Sequence, residues 1–142
     1  MGPEALFEFA NLFALAGWIV LIAGIVANRA WLRDRLAGLY WPVALSAGYA
    51  LAVAVGLASA EGDFWSLPAV RQLFANDWAL LAGWVHYLAF DLFVGAWLAA
   101  ETERVKLSRL VLVPVLPFTF MFGPVGFLLF QAIRFVYRGE PS

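Results

Sequence analysis

Four stretches of this chain are apolar for long enough to cross a lipid bilayer as α-helices, and they leave little else to fold. They cover approximately residues 7–27, 41–60, 78–100 and 110–137. A helix satisfies its own backbone hydrogen bonds and needs about 20 apolar residues to cross a hydrocarbon core of about 30 Å. Charged side chains make up only 13% of the 142 residues, too few to cover this apolar surface in water. The sequence therefore predicts an all-α integral membrane protein, a single domain of residues 1–142 folded as a four-helix bundle.

Composition excludes several classes of function. A formal net charge of -1 provides no basic surface for a phosphate backbone, so we expect no nucleic-acid partner. The absence of cysteine removes disulfides, iron–sulfur clusters and thiolate zinc sites. A single histidine, His86, cannot build a multi-histidine iron or copper site. We therefore expect neither a metal nor another cofactor.

The distribution of Lys and Arg predicts the orientation of the spans. Four crossings place both termini on one side of the membrane, and basic connections stay in the cytoplasm. The two connections on the opposite side from the termini carry six basic residues, against three elsewhere. Both termini are therefore expected outside the cytoplasm, and the preference for Arg over Lys is typical of a GC-rich bacterium, which predicts a bacterial inner membrane. The six are Arg29, Arg33, Arg35, Arg104, Lys106 and Arg109, and the three are Arg71, Arg134 and Arg138.

A short segment between the second and third stretches, residues 64–75 approximately, has helical character. Ser66 is a suitable N-cap, and Pro68 is tolerated in the first turn that follows. We predict an amphipathic helix in the membrane interface with Trp65 as its aromatic anchor. An irregular loop with a few apolar contacts is the alternative.

A stripe of small residues follows one face of the second stretch at every fourth position. Such a stripe lets a neighbouring backbone approach closely, which favours tight packing inside the bundle. A homo-oligomer contact or a groove for a flat ligand are the other interpretations. The stripe comprises Ala44, Gly48, Ala52, Gly56 and Ala60.

Prolines interrupt the fourth stretch. Pro114, Pro117 and Pro124 cannot donate backbone hydrogen bonds and are expected to kink this helix. Carbonyl groups freed at membrane depth must face protein or a water-filled cavity. The kink therefore indicates either a ligand pocket or simply a shape that packs.

Two ionisable side chains lie in the middle of the third stretch, and they are the candidate catalytic residues. A carboxylate such as Asp91 near the bilayer centre costs about 2.5–3.5 kcal/mol, so it must be paired, protonated or directed into a cavity. His86 precedes it by five residues, about 7.5 Å along a helix and about 140° around it. A direct hydrogen bond is not expected, but the two can flank one pocket and divide acid and base roles. The alternative is that both only fix the packing of the helices.

Further residues are candidates for substrate contact because of their position relative to this pair. Three share the face of Asp91 at spacings of i−7, i−4 and i+4, and three polar residues on other stretches lie at similar depths. For Asn11 and Gln131, packing or capping is the favoured interpretation. The six candidates are Trp84, Tyr87, Gly95, Tyr49, Asn11 and Gln131.

Three strings carry a resemblance to a known family: FANLFALAGW from Phe9, WVHYLAFDLFVGAW from Trp84, and LPFTFMFGPVGFLLF from Leu116. Together they resemble the family of the plant abscisic-acid-deficient-four protein, the neoxanthin-synthase-like family of small four-helix membrane proteins. The resemblance implies an isomerisation that opens an epoxide of violaxanthin to the allene of neoxanthin, without net redox change. It also marks Trp84, His86, Asp91 and Gly95 as the positions to test, whereas Ala96 stands where family members carry an Arg.

These observations lead to two hypotheses. In the first, the protein binds a carotenoid or another long isoprenoid, either without turnover or with isomerisation that needs no metal. His86 is then the general base and Asp91 the proton donor or orienting group, or the two roles are reversed. The plant substrate itself is not carried over, because most bacteria of this composition make no violaxanthin. In the second, the chain is a non-catalytic subunit or assembly factor of a larger membrane complex, with or without pigment. Expected partners are membrane lipids, the isoprenoid, and a homo-oligomer or such a complex.

Overall fold

The computed structural model describes residues 1–138, so the last four residues of the predicted domain lie outside it. The described chain contains α-helices and no β-strand, which confirms the all-α prediction. Three helical stretches are long and apolar enough to cross a membrane: Pro3–Val26, Trp31–Ser59 and Asp77–Arg104. The described residues form six α-helices: α1 (Pro3–Val26), α2 (Trp41–Ser59), α3 (Leu67–Leu73), α4 (Asp77–Arg104), α5 (Leu112–Met121) and α6 (Gly123–Arg138). A π-helical segment, Trp31–Tyr40, directly precedes α2.

The residues group into two compact units. Unit 1 consists of Met1–Ala16 and Val43–Ala89, and unit 2 consists of Gly17–Pro42 and the described chain from Phe90 onward. The helices α1 and α4 contribute residues to both units. That the chain forms a single domain stays a prediction.

The fourth predicted span is two short helices in a hairpin, so the prediction of one kinked crossing over 110–137 is wrong. α5 and α6 have 10 and 16 residues, fewer than the roughly 20 that a crossing needs. α6 runs back along α5, because Gly126 lies against Thr119 and Phe130 packs with Val115 in one buried cluster. The chain therefore reverses direction between the two helices.

The reversal has a local cause at the GPVG sequence. Phe122 leaves the helical conformation, with φ -143° and ψ 73°, and α6 begins at the next residue. Pro124 is the second residue of α6, where its missing N–H is tolerated. Pro124 thus lies at a break between two helices, whereas Pro114 and Pro117 lie within α5.

The contacts of α6 with α4 show where the hairpin ends. Gly123 at its start lies against Asp91, and Arg134 near its end forms an ion pair of 2.9 Å with Glu101. α6 therefore runs in the same direction as α4 and finishes beside the end of α4 from which the connection to α5 departs. The prediction that the C-terminus lies outside the cytoplasm assumed a fourth crossing. The hairpin of α5 and α6 takes the place of that crossing.

The segment before α4 forms the short helix that its capping residues predict. Ala69 N donates to Ser66 Oγ at 3.2 Å, and Pro68 lies in the first turn of α3. Trp65 is 92% exposed and therefore free to act as an anchor. The helix is confirmed, and its position in a membrane interface stays a prediction.

The small-residue stripe of α2 has two different environments within unit 1. A Cβ on Gly56 would stand 3.0 Å from the backbone nitrogen of Ala79, so α2 and α4 approach each other closely there. Gly48 has no neighbouring atom within 4 Å of such a Cβ, and Ala44 beside it is exposed. Tight packing thus accounts for one part of the stripe, whereas the other part lines an open groove.

A network of charged side chains holds together the connections of unit 2. Arg33 is 6% exposed and forms ion pairs with Asp34 and with Glu103, both at 2.5 Å. The other carboxylate oxygen of Glu103 accepts from Arg109 at 2.8 Å, and Arg109 also donates to Asn28. Glu103 therefore links the segment before α2 to the turn before α5.

Candidate functional site

His86 lies on the wall of a cavity of about 330 Å³ within unit 1. This volume is at the lower end of the range of about 300–1,000 Å³ that small-molecule sites occupy. The lining is apolar except for two side chains, His86 and Tyr49. α2 supplies Tyr49, Val53, Gly56 and Leu57, α4 supplies Ala79, Ala82, Gly83 and His86, and the connection between them supplies Phe64, Leu73 and Phe74.

The two polar side chains of this cavity contact each other. The rings of Tyr49 and His86 meet edge to face, with centroids 5.4 Å apart and an interplanar angle of 65°. A phenol and an imidazole both donate and accept hydrogen bonds, and both types of group take part in proton transfer. The cavity therefore combines apolar walls with two groups that can bind an oxygen atom and move a proton. Tyr49, a candidate because of its depth, is therefore a neighbour of His86 in unit 1.

Trp84 and Asn11 belong to a second cluster in unit 1. The indole nitrogen of Trp84 donates to Asn11 Oδ1 at 2.7 Å, and its ring lies 5.4 Å from those of Phe7 and Tyr87. The hydrogen bond joins α1 to α4 and satisfies a polar group of each helix. For Asn11 the hydrogen bond with Trp84 favours the packing interpretation. Tyr87 joins this cluster through its contact with the ring of Trp84.

Asp91 lies in unit 2, 7% exposed, against the start of α6. A Cβ on Gly123 would collide with the carboxylate oxygen Oδ1 of Asp91, so the two residues are in direct contact. The first turn of a helix carries a partial positive charge and amide groups without intrahelical acceptors. The start of α6 therefore offers hydrogen-bond donors and a favourable potential to the side chain of Asp91.

The remaining candidates of unit 2 have other surroundings. Gly95 is buried, and a Cβ there would meet the ring of Trp18. Gln131 lies half-buried on α6. Gly95 is thus explained by packing, and a role in substrate contact stays a prediction for both residues. Among residues 1–138, no group of three or more His, Cys, Asp or Glu side chains is placed to hold a metal ion.

The comparisons with known proteins agree with the three quoted strings. The model of the ABA4-like family, described as ABA DEFICIENT 4-like, matches residues 5–130. The chain belongs to this family. No curated protein and no solved structure is significantly similar to it.

The match of the ABA4-like model extends from α1 into α6 and includes the break at Phe122. It covers every candidate site residue except Gln131, the first residue beyond its end. The apolar helices and the family together are compatible with a membrane protein.

Sequence reasoning missed several residues that shape the sites of this ABA4-like chain. Phe74 and Leu73 line the His86 cavity, but they belong to a segment predicted to lie in the interface. Gly123 contacts Asp91, although GPVG in the sequence indicates only a flexible or kinked point. The W-x-H spacing fixes positions along α4 and carries no information about which other segments face them.

Proposed function

We propose that this ABA4-like protein binds an oxygenated carotenoid or another long isoprenoid, with one end group in the His86 cavity. The observation that supports this most directly is the pairing of His86 with Tyr49 on an otherwise apolar wall. Such a site suits an end group with a single oxygen function, because its walls contact hydrocarbon and only two of its side chains offer polar contacts. Membership of the ABA4-like family also supports the binding of such a ligand.

A second groove supports the binding of a long hydrocarbon chain. It has a volume of about 310 Å³, lies within unit 1 and is lined by apolar and aromatic residues of α1, α2 and α4. Phe9 and Phe13 line it, as does the open part of the α2 stripe at Ala44 and Gly48. Flat aromatic and small side chains suit a polyene, whose length exceeds that of the His86 cavity.

For the chemical step we propose an isomerisation by proton transfer. His86 removes a proton from a carbon of the bound end group while a C–O bond opens, and a proton is delivered to the oxygen. No electron acceptor is required because the product is an isomer, and the role of Asp91 of unit 2 as proton donor or orienting group stays a prediction from the sequence. Asp91 also contacts the start of α6, so its substitution needs a readout of folding beside one of turnover.

The binding proposal is tested by purifying the protein from its native membrane and recording the absorption of extracted pigment. We expect bound carotenoid, and we expect His86→Phe to reduce its retention at least about tenfold, because one polar contact is lost from an apolar site. Tyr49→Phe removes the neighbouring hydroxyl, and the matched control Tyr40→Phe removes an exposed one in unit 2.

Asp91→Asn should retain the pigment and lower turnover by about 10²–10⁴-fold, the usual contribution of a general acid or base.

A colourless protein that takes up no added carotenoid would contradict this proposal. A stoichiometric partner that co-purifies in mild detergent would then favour the subunit or assembly-factor hypothesis. Full turnover in Asp91→Asn would end the catalytic role of that residue and leave binding unaffected.

We also propose that the connections of unit 2 face the cytoplasm of a bacterial inner membrane, together with the end of α6. Eight of the nine Lys and Arg residues belong to unit 2, and only Arg71 belongs to unit 1. Such asymmetry predicts a cytoplasmic side. Because α6 returns to Glu101, a green fluorescent protein fused after Ser142 is expected to fluoresce, and alkaline phosphatase fused there is expected to be inactive. The opposite pair of results would place the end of α6 outside the cytoplasm and contradict the proposed orientation.

A further inference from the structure

The His86 cavity is a slot whose two ends are set by contacts between α2 and α4. Gly56 lies against the backbone of Ala79 at one end, and Tyr49 lies against His86 at the other. Ala79 and His86 are seven residues apart on α4, a distance of about 10 Å along the helix axis. The slot is therefore about 10 Å long and has its polar groups at one end.

The ring of Phe74 borders this slot close to the imidazole. A Cβ on Gly83 would stand 2.9 Å from Cε1 of Phe74, so the ring rests directly on the glycine. Gly83 precedes His86 by three residues, about 4.5 Å along the axis. A group that contacts His86 therefore lies within one helical turn of the Phe74 ring.

Hydrogen bonds on both sides of Phe74 hold its segment against the helices. Gln72 Nε2 donates to Glu61 Oε2 at 2.9 Å, and Asn76 Nδ2 donates to Ser59 Oγ at 3.2 Å. Leu73, which precedes Phe74, is buried. The ring is 39% exposed and borders the cavity from a segment that is joined to the end of α2.

We infer that Phe74 is a specificity-determining residue, whose ring on Gly83 limits the cross-section of the end group that can reach His86. The inference rests on the proposed function, since it concerns which ligands enter the same cavity. Glycine at position 83 provides the room for the ring, and the ring in turn narrows the slot beside the imidazole. Slender end groups are accepted, and branched or cyclic ones are disfavoured.

Two isomeric ketones test this inference, because they differ in shape and not in composition. β-Ionone carries a methylated ring, whereas pseudoionone is its acyclic isomer with the same ketone. Their dissociation constants are measured from the ¹⁵N shifts of His86, which is the chain's only histidine and gives its only imidazole signals. Phe74→Ala is expected to shift the affinity ratio toward β-ionone by about tenfold, the effect of a small steric difference in an apolar pocket.

Three further variants keep the test independent of folding. Phe74→Leu should shift the ratio in the same direction to a smaller extent, and Gly83→Ala should shift it toward pseudoionone. Trp65→Ala is the matched control, because it removes an exposed aromatic side chain from the same segment and should leave the ratio unchanged. If both ketones bind and Phe74→Ala behaves as Trp65→Ala does, the inference is wrong and the proposed function stands. If neither ketone shifts the signals of any variant, both are contradicted.

Discussion

Replacement of Gly126 by alanine is expected to destabilise the protein by about 3 kcal/mol, the upper part of the usual range for overpacking. A Cβ at this position would collide with Thr119 Oγ1 and would stand 2.5 Å from the backbone nitrogen and 2.6 Å from Cα of the same residue. Backbone atoms cannot move aside as the end of a side chain can. The hairpin of α5 and α6 must therefore open. The measurement is the midpoint of unfolding in mixed detergent and denaturing-detergent micelles.

Two comparisons separate this collision from a general effect of glycine replacement. Gly48→Ala should be neutral or stabilise the protein by up to about 1 kcal/mol, because a Cβ there meets nothing and alanine favours a helix. Thr119→Ala should not rescue Gly126→Ala, since the backbone remains in place. Equal midpoints for the Gly126 and Gly48 variants would show that α5 and α6 are not packed as described.

Gly123 provides the contrasting case, because only the side chain of Asp91 obstructs a Cβ there. Gly123→Ala should therefore cost less in an Asp91→Ala background than in the wild type. A coupling of about 1–2 kcal/mol is expected for two residues in direct contact. Additive effects of the two substitutions would contradict the contact between Asp91 and α6.

Replacement of Arg33 by methionine is expected to cost about 1–3 kcal/mol, more than the replacement of an exposed charged residue. Arg33 is buried and pairs with both Asp34 and Glu103. Its removal deprives Asp34 and Glu103 of charge-assisted hydrogen bonds, although both carboxylates are partly exposed and Glu103 keeps its ion pair with Arg109. The free energy of unfolding of the detergent-solubilised protein measures the effect.

Lysine and a neighbouring arginine supply the controls for this experiment. Arg33→Lys should recover only part of the loss, because one ammonium group cannot reproduce the fork of bonds to Asp34 and a further bond to Glu103. Arg35→Met removes an exposed charge from the same π-helical segment and should change stability by less than about 0.5 kcal/mol. A loss in Arg33→Met no larger than in Arg35→Met would show that the network carries no stability.

The candidate site was partly predictable because its chemical groups are rare in such a chain. One histidine and one mid-span carboxylate stand out from an apolar sequence, and the family strings mark the same residues. Their surroundings were not predictable. Depth in a bilayer gives a coordinate along the membrane normal only, so Tyr49 could be placed at a level but not beside His86. Phe74 could not be found, since nothing local indicates that its segment folds against α2 and α4.

The sequence by itself determined that the chain is helical, where three of its long apolar helices run, and that Ser66 begins a short helix before α4. These features follow from local composition: apolar runs of sufficient length, a capping hydroxyl and the restricted backbone of proline. Tertiary structure decided the rest. Proline and glycine at the end of α5 mark an interruption, but its direction depends on Gly126 meeting Thr119 and on Arg134 reaching Glu101. Such contacts join residues of different helices, and their energies, unlike helix propensity, exist only once the helices are packed.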